Sequence, residues 1–114
     1  AIFEDARSKK KVILTVEDYE LIKGGGFPHS RAHLEIETHF DCVKRAIENP
    51  DFIKQDKDYS DRACYYACFV GGRVHPNHHM KVVVKRSIFG NLRVINAYFT
   101  DELKNGEKLI WEKQ

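Results

Sequence analysis

Three segments in the second half of the chain gather the side chains able to do chemistry: Arg62 to Val70, Met80 to Arg86 and Leu92 to Thr100. Each alternates with a period of two, as a half-buried antiparallel strand does. In the first, Arg62, Cys64, Tyr66 and Cys68 oppose the apolar set Ala63, Tyr65, Ala67 and Phe69. In the second, Lys81 and Lys85 oppose Met80, Val82 and Val84; in the third, Asn96, Tyr98 and Thr100 oppose Ile95, Ala97 and Phe99. Side by side, such strands lay a surface of Arg, Lys, Tyr, Asn and Thr over a packed core, which suits a phosphate-rich ligand.

The chain also carries six histidines, the residue type that exchanges a proton near neutral pH. A structural role is the ordinary expectation for any one of them. Two stand on a segment that reads as a helix from about Ser30 to Glu48, in which Ile36, Phe40, Val43 and Ile47 form a continuous apolar stripe. At 100° per residue, His33 lies about 50° from the centre of that stripe, on its border with solvent. His39 lies on the opposite flank and farther out. An imidazole on the border would overhang the edge of a sheet packed beneath the stripe, where it could take a proton from a ribose 2′-hydroxyl. His29 falls at or just before the helix start, placed to cap it or to touch a ligand.

The remaining elements suggest a compact α+β fold in one domain over residues 1–114. Lys11 to Thr15 reads as a strand, and Thr15 can cap a short helix from Val16 to Ile22 that Gly24, Gly25 and Gly26 stop. Asn49-Pro50 ends the longer helix. Asp51 to Asp61 reads as a polar loop, Gly71 to His79 and Phe89-Gly90-Asn91 as hairpin tips, and Leu109 to Trp111 as an edge strand. Helices first and strands later favour α+β over a doubly wound sheet.

A net charge of +2 argues for a local basic patch and against a general nucleic-acid coat. Three cysteines cannot all pair with one another, and neither a secretory signal nor an apolar run of membrane-spanning length is present. The expectation is therefore reduced thiols, no membrane partner and a cytoplasmic setting, with a delivered toxin domain as the variant of that setting. Cys64, Cys68, His75, His78 and His79 resemble zinc ligands in type. Two cysteines four apart on a strand are separated by about 13 Å, too far to share one tetrahedral ion, so neither a metal nor another cofactor is expected.

An ordered series runs from Val12-Ile13-Leu14-Thr15 through a histidine before an amphipathic helix ending in Ile47-Glu48-Asn49-Pro50-Asp51-Phe52-Ile53. It continues through Arg62 with Tyr65-Tyr66, Lys81-Val82-Val83-Val84 and Val94-Ile95-Asn96-Ala97-Tyr98-Phe99-Thr100, to Gly106-Glu107-Lys108 with Ile110-Trp111. This series resembles the phage- and mobile-element-associated nucleases of the barnase, EndoU, colicin and RelE superfamily. The resemblance implies one or two N-terminal helices packed on a curved antiparallel sheet whose open face cradles RNA, and a toxin-like, metal-independent endoribonuclease that leaves a 2′,3′-cyclic phosphate.

Under that resemblance the helix histidine falls on His33, as general base or acid, with His39 the second candidate. Arg62 and Lys81 become electrostatic clamps on the transition state and Tyr66 a hydrogen-bond donor or stacking platform. Lys85, Asn96, Tyr98, Thr100 and His29 become RNA contacts. An immunity or antitoxin protein becomes an expected partner beside RNA. Leu21 stands where the family has a further histidine, and Asn96 where it has a hydroxyl residue. The rival expectation is a non-catalytic module that binds RNA or a protein through the same sheet face.

Overall fold

The computed structural model describes residues 1–25, 32–70, 78–101 and 106–113. Its first strand was not expected from the sequence, whereas the strand and helix that follow it were. Strand β1 (Ile2–Glu4) pairs antiparallel with β2 (Lys11–Ile13), and Thr15 then caps α1 (Val16–Gly24) by accepting the Asp18 N–H at 3.0 Å. Gly25 closes the helix at φ 75°, a conformation that other residues adopt at a cost, and its N–H donates to the Leu21 carbonyl.

The long helix expected from Ser30 to Glu48 is two pieces, α2 (Glu35–Thr38) and α3 (Phe40–Glu48), broken at His39 with φ −128° and ψ 44°. The stripe nevertheless survives the break. Ile36, Val43 and Ile47 are fully buried, and Phe40 packs half-buried at the rim with its ring 5.6 Å from that of Phe3. Asn49 caps α3 as expected, and Asp51 then holds the turn. Its carboxylate accepts the Cys68 N–H at 2.7 Å, and its own N–H donates to the Tyr66 carbonyl.

The segment read as a polar loop after Asp51 contains a strand, β3 (Phe52–Gln55). It lies between β4 (Arg62–Ala67) and the edge strand β7 (Lys108–Glu112), so its backbone groups are paired on both sides despite a composition that signals a loop. With β5 (His79–Arg86) and β6 (Leu92–Thr100) this makes a seven-stranded sheet in the order β1-β2-β6-β5-β4-β3-β7. All neighbours are antiparallel except β2 and β6, which run parallel. Among the described residues the fold is thus α+β with a mostly antiparallel sheet and three helices. Residues 71–77 of the expected hairpin tip lie outside the described residues, as do Gly26, His29 and His75.

One face of the sheet meets the helices. Val12, Ile53, Tyr65, Ala67, Met80, Val82, Val84, Val94 and Ala97 pack with Ile22, Ile36, Val43, Ala46 and Ile47. Alternation placed β4 and β5 correctly, but two residues depart from it. Phe69 lies beyond the end of β4, at φ 54° and exposed, and does not join the core. Ile95 was expected on the core face, yet it packs with Cys64, Tyr66 and Val83 on the open face. The cause is a bulge: Val83 pairs with Asn96 and Val84 with Val94, so Ile95 is an extra residue and the facing rule changes parity there.

A carboxylate pins the first hairpin to the core. Asp5 is buried, accepts the Tyr65 hydroxyl at 2.5 Å and the Ser8 hydroxyl, and accepts the Ser8 N–H at 2.9 Å. Burial works to raise its pKa, but the bonds from Ser8 and Tyr65 prevail and hold it below the ordinary 3.8. A carboxylate with a depressed folded pKa contributes stability above its unfolded value and loses it as pH falls through the folded value. Asp5→Ala should therefore cost about 1–3 kcal/mol at pH 7, and distinctly less in acid below the folded pKa. Denaturant titrations at the two pH values check this; an equal loss at both would show that the carboxylate charge contributes nothing.

Candidate functional site on the open face of the sheet

Cross-strand register arranges the open face in rows. Phe52, Tyr66, Lys81 and Tyr98 stand opposite one another on β3, β4, β5 and β6, forming the first row. Phe52 and Tyr66 have ring centroids 5.0 Å apart, and the Lys81 Nζ lies 5.7 Å from the Tyr66 ring and 5.8 Å from the Tyr98 ring. A cation between two aromatic rings is attracted by both. His33 completes the row. It precedes α2, its N–H donates to the Ile22 carbonyl at 2.8 Å, and its ring stacks on Tyr98 with centroids 4.9 Å apart and planes 23° apart. The Glu35 carboxylate lies 4.0 Å from its Nδ1.

The row is closed from above by Glu107, which was not expected to contribute to the site. Gly106, at φ 92°, turns the chain just before it, and the Glu107 carboxylate accepts the Lys81 ammonium at 2.9 Å and the Tyr66 hydroxyl at 2.5 Å. Lys81 and Glu107 side chains are only 4% and 1% exposed. Burial works to lower the Lys81 pKa, yet the hydrogen bond to Glu107 and the surrounding groups outweigh it and the net direction is upward. Lys81 is therefore a permanent cation whose charge is largely matched by its partner. Tyr66 is fully buried, and burial with the bond to Glu107 pushes its hydroxyl pKa well up. It is a donor inside the network; the expected stacking platform is excluded by its burial.

Four residues along the strands, about 13 Å away, runs a cationic row. Arg62 pairs across to Lys85, and Lys85 to Arg93. Arg62 is anchored over the Tyr59 ring at 4.0 Å, and Arg93 bonds Asp18 of α1 at 3.1 Å. Between the rows lie Cys64, Val83 and Asn96, whose side-chain oxygen accepts the Ala97 N–H. Arg62, Lys81, Lys85, Asn96 and Tyr98 together line one cleft of about 420 Å³. Leu21 lines it too.

Comparison with known proteins identifies no relative. No family model, no curated protein and no solved structure matches the chain.

The other expected residues lie elsewhere. Thr100 pairs with His79 one step beyond the first row and does not line the cleft. His39 sits at the helix break with its ring edge-on to Phe99, 4.9 Å away, on the side of the sheet that carries the helices. It does not share the open face with His33. Among the described residues, the group whose donor atoms come within 4.8 Å of one another is His39, Asp41 and Cys42. Burial and Asp41 raise the Cys42 thiol pKa, and its Sγ donates to the Val70 carbonyl at 3.5 Å. Burial likewise pushes the Cys64 thiol up to about 12. Among the described residues no helix is long and apolar enough to cross a membrane.

Proposed function

We propose that the open face of the sheet binds RNA and that the chain cleaves it without a metal, by attack of the 2′-hydroxyl on the adjacent phosphorus. In that step the P–O2′ bond forms and the P–O5′ bond breaks; one group removes the 2′ proton, another delivers a proton to O5′, and a 2′,3′-cyclic phosphate remains. The observation that carries this reading is His33 stacked on Tyr98 at the rim of a cleft that also presents Arg62, Lys85 and Arg93. An imidazole suits proton transfer at neutral pH, the half-buried stack on Tyr98 fixes its position beside the cleft, and the row of cations suits phosphates.

The rows divide the labour differently from the sequence expectation. Lys81 is matched by Glu107 and steadies the aromatic row; in the second row Arg93 is engaged by Asp18 and Arg62 lies 4.0 Å from Asp61, so Lys85 is the cation there for which no ion pair is seen among the described residues. The barnase- and RelE-like curved sheet, the toxin role and an antitoxin partner belong to the same reading and rest on the sequence resemblance. A non-catalytic RNA- or protein-binding module is favoured by one feature: the Lys81–Glu107–Tyr66 network satisfies itself internally and leaves little for chemistry.

Incubating the purified chain with total RNA in EDTA separates the two readings. Fragments ending in 2′,3′-cyclic phosphate support cleavage; retained but uncut RNA supports the binding module. Lys85→Ala should weaken RNA binding and reduce the slope of log affinity against log salt by about one unit, because one phosphate contact is lost. An unchanged slope would remove Lys85 from the RNA path.

A further inference from the structure

The β5–β6 hairpin carries features that the cleavage reading does not use. Ile88 and Phe89, adjacent at its tip, are 94% and 86% exposed. They are held out by a fixed turn: the Ser87 N–H donates to the Asn91 carbonyl, the Gly90 N–H to the Ser87 carbonyl and the Asn91 N–H to the Ser87 hydroxyl. Large apolar side chains presented on a braced turn lose their hydration cost only when something covers them. Beside the tip opens a cleft of about 920 Å³ whose lining includes Lys85, Arg86, Arg93, Ile88 and Asp61. Its volume lies within the range of small-ligand sites. Lys10 adds a fourth cation, with Nζ 3.7 Å from where a side chain on Gly90 would begin.

We propose that this cleft is a nucleotide subsite, in which Ile88 on its wall and Phe89 beside it at the tip pack against an unpaired base while Lys85 and Arg86 take its phosphate. The inference rests on the RNA-binding reading and extends it by fixing where the strand leaves the open face. Two observations argue for a nucleic acid as the occupant. The cleft shares Lys85 and Arg93 with the cleft that holds Lys81 and Tyr98, so one continuous cationic path joins them. Its chemistry is also mixed, with cations for phosphate, apolar surface for a base face, and the Asp61 carboxylate as an acceptor for base N–H groups. Asp18 already engages Arg93, which leaves Lys85, Arg86 and Lys10 as the cations here for which no ion pair is seen among the described residues.

The test is titration of the isotope-labelled chain with a 2′-O-methyl RNA hexamer, which cannot be cleaved, followed by NMR. The expected result is movement of the Ser87, Ile88 and Asn91 amides together with those of Lys81 and Tyr98. Phe89→Ser with Arg86→Ser should then weaken affinity about tenfold or more, at surface positions that leave the fold intact. Movement confined to Lys81 and Tyr98, with no effect of the double substitution, overturns the subsite and leaves RNA binding at the open face standing. Movement confined to the hairpin keeps the subsite and removes the open face as the binding surface. No movement anywhere ends both readings. Phe89-dependent sedimentation with phosphatidylserine vesicles, without hairpin shifts from the hexamer, would overturn the subsite in favour of a membrane surface.

Discussion

Lys81→Ala should destabilise the chain by about 3–5 kcal/mol, because it leaves the Glu107 carboxylate buried without a cation, held only by neutral donors such as the Tyr66 hydroxyl. This exceeds what a lysine on a solvated sheet face would contribute, and it follows from burial of both charges. Replacing the whole network, Lys81→Met with Glu107→Leu and Tyr66→Phe, should cost less than the single change, since no uncompensated polar group remains. The pair also has a signed pH dependence. Because the folded pKa of Lys81 lies above the ordinary 10.5, its contribution is fully present through neutral pH and is lost as pH rises above that value. Denaturant titration of the single and triple variants decides the matter: a loss under about 1 kcal/mol for Lys81→Ala would mean that the pair is effectively solvated.

His33→Ala should lower the rate of RNA cleavage by about two to four orders of magnitude, the usual contribution of a general acid or base. The ring stacks on Tyr98 at the rim, so the stability loss should stay near the about 0.5–1.5 kcal/mol of an aromatic pair. His39→Ala should leave the rate unchanged, because its ring packs against Phe99 away from the open face. Single-turnover rates at saturating RNA make the comparison. If His39→Ala were the more damaging, proton transfer would have to be sought on the helix side of the sheet.

Much of this arrangement was legible because local chemistry dictates it. The Thr15 cap, the Gly25 stop and the Asn49 end of α3 each satisfy backbone groups within a turn of the chain, so the nearby residues are enough. Alternation in β4 and β5 was legible for a similar reason: one face meets the helices, and a one-residue slip would bury Lys81 and Lys85 among them. The apolar stripe of Ile36, Phe40, Val43 and Ile47 announced a helix-to-sheet contact even though the helix itself is broken at His39.

What escaped the sequence depended on partners distant along the chain. β3 exists because β4 and β7 pair with it on both sides, a gain that no window around Lys54 can register. The bulge at Ile95 is a property of two strands together; it moved that residue to the open face and left Arg93 beside Lys85, where alternation in β6 alone did not place it. The burial of Lys81 was decided by Glu107, 26 residues later, since a buried ammonium requires an anion and only the folded chain determines which one reaches it. The sequence by itself therefore determined the types of group on the open face and most of the elements that carry them. Tertiary structure alone decided which cations remain available to a phosphate, because pairing and desolvation are set by neighbours that only folding brings into contact.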